Sequence, residues 1–159
     1  MANAVFQLVF DLATRTAEGT GNFGPTPKPQ EILILTAYTP DIADYGEVSA
    51  DNKAQYARQH GYAFRAITSG FVANRPPAWS KIHFIRAALT DYNWVFWSDA
   101  DALITNRAVR IESIISSGHD VFLTESLCPV RHLNTGSMLF RRSAFSRLFL
   151  HAVWRLKVF

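Results

Sequence analysis

Two aspartates separated by one alanine, Asp99 and Asp101, interrupt an apolar run, with "WVFWS" before them and "ALI" after Asp101. In extended chain, residues i and i+2 project to the same side, so the two carboxylates can address one object while Ala100 leaves space beside them. Held that close, they repel, unless a cation sits between or near them. A hard divalent ion removes the conflict, because Mg²⁺ and Mn²⁺ prefer oxygen ligands and commonly complete their shell with substrate phosphates. The chemistry that follows is a metal-bound diphosphate, with Asp99 and Asp101 as the metal ligands and Mn²⁺ or Mg²⁺ as the ion. The plainer alternative is a turn in which the aspartates cap backbone amides. The apolar residues on both sides favour the metal, since they pin the pair at the end of a buried strand.

The elements that must position this pair can be read from periodicity. "ILILTAY" is an aliphatic run ending before Pro40-Asp41, the pattern of a buried parallel strand. "DYGEVSADNKAQYARQHGY" places Val48, Asn52, Tyr56 and Gln59 at helical spacing, with His60 and Gly61 where a basic last turn and a left-handed cap belong. "YAFRAIT" reads as a second strand. "PPAWSKIHFIRAALTDY" reads as a loop and a helix striped by Ile82, Ile85, Leu89 and Tyr92, and "WVFW" as the third strand. Beyond the aspartates, "NRAVRIESIISSG" predicts a short helix, "DVFLTE" and "NTGSMLF" two more strands, and "SAFSRLFLHAVWRL" a closing amphipathic helix. Strands alternating with helices predict an α/β fold with a mostly parallel central sheet, in which ligands bind beyond the carboxyl ends of the strands. Asp99 and Asp101 stand at such an end.

Bulk composition narrows the classes. With 159 residues, 48% of them apolar, the chain suffices for one core of ordinary size, and one domain is expected over residues 31–159. Residues 1–30 read as a weakly ordered arm and linker: Asp11 breaks the apolar patch of "MANAVFQLVFDLATR", and "TAEGTGNFGPTPKPQ" loses all periodicity. No signal peptide or membrane anchor is evident, so a soluble, cytoplasmic chain is expected. The net charge of +3 is mild, and its lysines and arginines are scattered, which argues against a nucleic-acid track and suits a small anionic ligand. Cys128 is the one cysteine, so an internal disulfide and a cysteine-rich zinc site are excluded.

Four segments in order, "NKAQYARQHGYAF", "PPAWSKIHFIRAAL", "WVFWSDADALITN" and "LNTGSMLFRRSAFS", resemble glycosyltransferase family 34, which includes plant xyloglucan xylosyltransferases and yeast galactosyl- and mannosyltransferases. The resemblance runs from Ile32 to about Trp154. It implies a GT-A type, Rossmann-like nucleotide-sugar-binding fold and a retaining transfer from a UDP- or GDP-linked donor to a glycan acceptor. It also implies catalytic and metal-binding roles for Asp99 and Asp101. Donor contacts would come from Thr36 and Ala37 at the end of the first strand, from Ser98, Asp99 and Ala100, and from the segment Asn134, Thr135 and Gly136. Lys81 would reach the diphosphate as a point charge, and Trp79 would pack against sugar or base. An exposed helix lysine, a core tryptophan and a β-turn at Asn134–Gly136 are the structural alternatives for these three. Tyr56 and Tyr62 read as core, and nothing in the spacing assigns Glu125 or His132 a role.

The family's domain continues past the closing helix, where a histidine supplies a further metal ligand, and His151 does not match it. The chain is therefore expected to be incomplete at its C-terminus. That leaves a second reading, a donor-binding or assembly subunit completed by a protein partner or by a second copy, with apolar residues between Phe145 and Leu156 as the docking face. A third class, the haloacid-dehalogenase-like phosphatases, also carries an Asp-x-Asp after an apolar strand. Those proteins start near the pair and need a downstream acidic pair, whereas no aspartate follows Asp120 here.

Overall fold

The computed structural model describes residues 27–115, 119–125 and 133–156. Most of the expected arm, residues 1–26, lies outside them, as do Cys128 and His132. Among the described residues, five strands and three α-helices follow one another as β1 (Ile32–Ala37), α1 (Ala43–His60), β2 (Ala63–Ile67), α2 (Ser80–Ala88), β3 (Trp94–Ser98), β4 (Val121–Glu125), β5 (Leu133–Arg141) and α3 (Ala144–Arg155). The sheet order is β2-β1-β3-β5-β4. β1 pairs in parallel with β2 and β3, while β5 runs antiparallel to both β3 and β4. Four strands thus share one direction and β5 opposes them, which is the α/β, mostly parallel sheet that the alternation predicts.

β1 is apolar throughout because both of its faces are covered. Ile32 and Ile34 pack with Tyr56 and Ala57 of α1, together with Tyr62, Trp94 and Phe96. Leu33 and Leu35 face the other way, onto Ile82, Ile85 and Leu89 and onto Leu150 of α3. The result is three layers, and Tyr56 and Tyr62 are core as expected. α1 stops where Gly61 takes φ 77°, a left-handed cap in which its own N–H reaches the carbonyl of Ala57.

Two details differ from the sequence reading. The buried face of α1 comprises Gly46, Ser49, Ala50, Lys53, Tyr56 and Ala57, so of Val48, Asn52, Tyr56 and Gln59, read at helical spacing, only Tyr56 is fully buried and Val48 is 63% exposed. Periodicity located the helix but not its inward face, because small and polar side chains fill that face. The second difference is the helix expected over Asn106–Gly118. Among the described residues of that stretch only a 3₁₀ turn forms, Ile111–Ser113. The physical reason is competition for backbone carbonyls. Arg107 O accepts from Gln59 and from the ring of His60, and Val109 O accepts from the Tyr56 hydroxyl at 2.6 Å. The segment is tied to α1 instead of coiling on itself.

Where this segment ends, Glu112 accepts from the Tyr62 hydroxyl and pairs with Arg110 at 2.8 Å. Burial pushes the Glu112 carboxyl up, but the bonds from Tyr62 and Arg110 outweigh it and hold the group below its ordinary 4.5. A carboxyl lowered in the folded state contributes stability that is complete above its unfolded pKa and fades as pH falls through the folded one. Acid titration of unfolding free energy should therefore show a loss of stability from this group as pH falls below 4.5. Glu112→Gln should flatten that part of the curve, and an unchanged curve would contradict the assignment.

Candidate functional site

β3 delivers the two aspartates. Its last residue, Ser98, stands opposite Ser137 of β5, and the next amide, that of Asp99, donates to Gly136 O at 2.7 Å. The chain then turns back, with Ala102 N donating to Asp99 O at 3.1 Å. Asp99 projects toward the α2 side, where it is closely engaged. Lys81 Nζ lies 2.8 Å from Oδ1 and 3.1 Å from Oδ2, and the indole N–H of Trp97 donates to Oδ1 at 2.6 Å. Asp101 is different: it is exposed, and its carboxylate makes no hydrogen bond or ion pair with any described residue. One carboxylate of the pair is occupied and the other is free.

Two recesses meet at Asp101. One, about 200 Å³, is walled by Ala37 at the end of β1 and Tyr38 and Thr39 beyond it, by Phe71, by Pro77 and Ala78 just before α2 and Lys81 in its first turn, with Asp99, Ala100 and Asp101 on the remaining side. The other, about 520 Å³, is a groove between Asp44, Tyr45, Val48 and Ser49 of α1 and the turn residues Ala100, Asp101 and Leu103. Ligand sites commonly run from 300 to 1,000 Å³. The smaller recess by itself fits one end of an extended ligand, and the two together, joined at a free carboxylate, fit a longer one.

The expected donor residues divide into three groups. Ala37, Lys81, Asp99 and Ala100 line the smaller recess as anticipated. Thr36 and Ser98 are wholly buried behind its wall, and neither hydroxyl has a hydrogen-bond partner among the described residues. Trp79 is not on the wall; its ring lies 5.4 Å from the Arg75 guanidinium, which also stacks on Trp154. Asn134, Thr135 and Gly136 form neither a free loop nor a β-turn. They belong to β5, at a bulge where pairing with β4 jumps from Leu123↔Met138 to Thr124↔Asn134. The Thr124 hydroxyl donates to Asn134 O at 2.7 Å and so staples the bulge, which swings Thr135 O to within 3.2 Å of Lys81 Nζ. A Cβ at Gly136 would lie 3.0 Å from Asn134 Oδ1, a tight approach, and 3.5 Å from Asp99 Oδ2, an ordinary contact.

Sequence reasoning missed Tyr38 and Lys53. Tyr38 follows β1 and walls the smaller recess. Lys53 was hidden by its type, since lysine is rarely buried without a partner. Its ammonium is fully enclosed and donates to Asp99 O at 3.0 Å, to Ala102 O at 2.7 Å and to the Ser49 hydroxyl. Burial pushes its pKa down to about 8, partly offset by the nearby charges of Asp101 and Asp99. The signal available was Ser49, Lys53 and Tyr56 at helical spacing, a lysine in line with a core aromatic.

Among the described residues no group of three or more His, Cys, Asp or Glu is placed to hold a metal ion. The site's donors suit a hard cation in a restricted way: Asp101 offers free carboxylate oxygens, Asp99 is held by Lys81, and the remaining ligands would have to come from phosphate oxygens and water. The two aspartates should therefore respond differently to mutation. Asp99→Ala leaves the Lys81 ammonium and the Trp97 N–H without their carboxylate acceptor, and should cost about 2 kcal/mol of stability in denaturant unfolding. Asp101→Ala should stay within about 0.5 kcal/mol of the parent chain. Equal losses would contradict the division between an occupied and a free carboxylate.

A probable alpha-1,2-galactosyltransferase gmh1 of Schizosaccharomyces pombe is 29% identical over 99 residues, covering 57% of this chain and 30% of the relative. A probable xyloglucan 6-xylosyltransferase 3 of Arabidopsis thaliana is 28% identical over 132 residues, covering 73% of this chain and 29% of the relative. The chain thus spans about 30% of the length of these curated relatives. A solved glycosyltransferase involved in the glycosylation of the major capsid of PBCV-1 superposes with a TM-score of 0.67 at 20% identity, over 80% of this chain and 66% of that one, which shows a shared fold. Residues 28–127, well over half of the chain, match the galactosyl transferase GMA12/MNN10 family, and the chain belongs to that family.

Proposed function

We propose that this chain carries the nucleotide-sugar half of a metal-dependent retaining glycosyltransferase, which moves a sugar from a UDP- or GDP-linked donor to a glycan acceptor. The observation that carries the reading is the free carboxylate of Asp101 at the junction of two recesses, next to a carboxylate already matched by Lys81. Family membership supports it. The nucleoside end of the donor takes the smaller recess, against Tyr38 and Phe71, and the diphosphate lies across the acidic turn.

Asp101 would hold a divalent cation, Mn²⁺ or Mg²⁺, with Asp99 as the second carboxylate if its pairing with Lys81 gave way to the diphosphate. Bound there, the ion supplies Lewis-acid stabilisation of the departing diphosphate. Lys81 adds a point charge for the same oxygens from the other side. In the transfer itself the bond between the anomeric carbon and the diphosphate oxygen breaks, and a bond from an acceptor hydroxyl oxygen forms on the same face of the sugar. The acceptor's proton passes to the released phosphate oxygen, so no side chain need act as general base. Gly136 and the bulge that carries it keep backbone, without a side chain, beside Asp99.

A second reading has one specific observation behind it. On α3, Phe145 and Leu148 are more than half exposed, as is Leu156 just beyond it, a face suited to a protein partner or a second copy. It is compatible with donor binding at the same turn. Calorimetry with UDP-xylose, UDP-galactose and GDP-mannose, each with and without Mn²⁺, combined with a product assay, separates the readings. Mn²⁺-dependent binding with transfer supports the enzyme, and binding without product supports a donor-binding subunit. Asp101→Asn should reduce Mn²⁺-dependent affinity at least tenfold. Absence of any Mn²⁺-dependent nucleotide binding would refute both.

A further inference from the structure

Lys53 lines neither recess and has no part in the transfer set out above, yet its charge is fully buried under the acidic turn. An apolar side chain would fill the same space between α1 and the sheet at no desolvation cost, as Tyr56 and Ala57 do one turn later. All three N–H groups of the ammonium are used. Two go to the carbonyls of Asp99 and Ala102, the two residues that bracket Ala100 and Asp101, and the third goes to the Ser49 hydroxyl, which itself donates to Ala102 O at 2.7 Å. Two of the acceptors are main-chain atoms of the turn, and none is a carboxylate. Asp101 makes no side-chain hydrogen bond of its own, so the place of its carboxylate is set by the backbone that carries it.

We propose that Lys53 is a positioning residue: its ammonium clamps both ends of the Asp99–Ala102 turn and thereby holds the Asp101 carboxylate at the junction of the two recesses. Asn52, its neighbour on α1, extends the clamp by one step. Its amide accepts from Ile104 N at 2.8 Å and donates to Ile104 O at 3.2 Å, so the chain leaving the turn is fixed as well. The inference rests on the reading of Asp101 as a cation ligand only for its consequence in binding, and not for the clamp.

The test uses the full chain and two readouts. Amide hydrogen exchange followed by NMR reports the clamp itself through Ala102, whose N–H closes the turn onto Asp99 O. In Lys53→Met that amide should exchange at least tenfold faster, while amides of β1 and β3 such as those of Leu35 and Phe96 keep their rates. An unchanged Ala102, or an equal acceleration throughout the sheet, overturns the proposal. Calorimetry with UDP and GDP, with and without Mn²⁺, reports the consequence: the gain in affinity brought by Mn²⁺ should fall about tenfold in Lys53→Met, with metal-free affinity unchanged. Equal loss in both arms marks a merely structural lysine and also overturns it. If the parent chain shows no Mn²⁺ gain, the proposed function fails and the exchange readout still decides the clamp. Should Lys53→Met not fold, Ser49→Ala removes one acceptor of the ammonium; Ala102 should then exchange about threefold faster, and an unchanged rate counts against the clamp.

Discussion

Two like charges at the end of a buried strand have to be balanced, and most of the architecture around β3 serves that balance. At an effective dielectric of 20, two unit charges 4 Å apart repel by about 4 kcal/mol, a large share of a domain's whole stability. The chain answers with two lysines from opposite sides of the sheet. Lys81 enters from α2 and meets the Asp99 carboxylate directly, while Lys53 enters from α1 and meets the main chain beneath Asp99 and Ala102. Each aspartate thus has a cation nearby, but only Asp99 has its oxygens engaged. Asp101 keeps its carboxylate for something else.

The same division of labour explains features that would otherwise look incidental. α1 carries Ser49, Asn52, Lys53, Tyr56, Gln59 and His60 along one side, and each bonds the chain between Asp99 and Val109 directly or through a neighbour. The helix acts as a jig for a connection with no regular structure of its own. On the far side of β3, the bulge in β5 lets one backbone segment meet Asp99 through Gly136 and Lys81 through Thr135. Helix, strand and bulge converge on a turn of four residues.

The fold was legible because its signals are local and strong. "ILILTAY" and "WVFW" are apolar on both faces, which only a strand covered on both sides allows, and Gly61 marks the helix end by the conformation it adopts. The acidic turn could be placed from the same pattern. What could not be read was anything decided by a long-range partner. Val48 falls at helical spacing with Tyr56, yet the inward face of α1 is taken by Ser49 and Lys53, whose partners lie about fifty residues away. Asn106–Gly118 had the composition of a helix, but side chains of α1 took its carbonyls. Thr36 and Ser98 sit at the strand ends where a ligand should lie, and the inward direction of their side chains hides them behind the wall.

The central claim is that Asp101 presents a free carboxylate to a cation carrying a diphosphate. The most direct measurement is an anomalous difference map from crystals of the chain grown with Mn²⁺ and a nucleoside diphosphate. The account predicts a single strong manganese peak within bonding distance of the Asp101 carboxylate and of diphosphate oxygens, with the nucleoside in the recess beside Tyr38. A nucleotide seated there against Lys81 alone, with no manganese at Asp101, would contradict it.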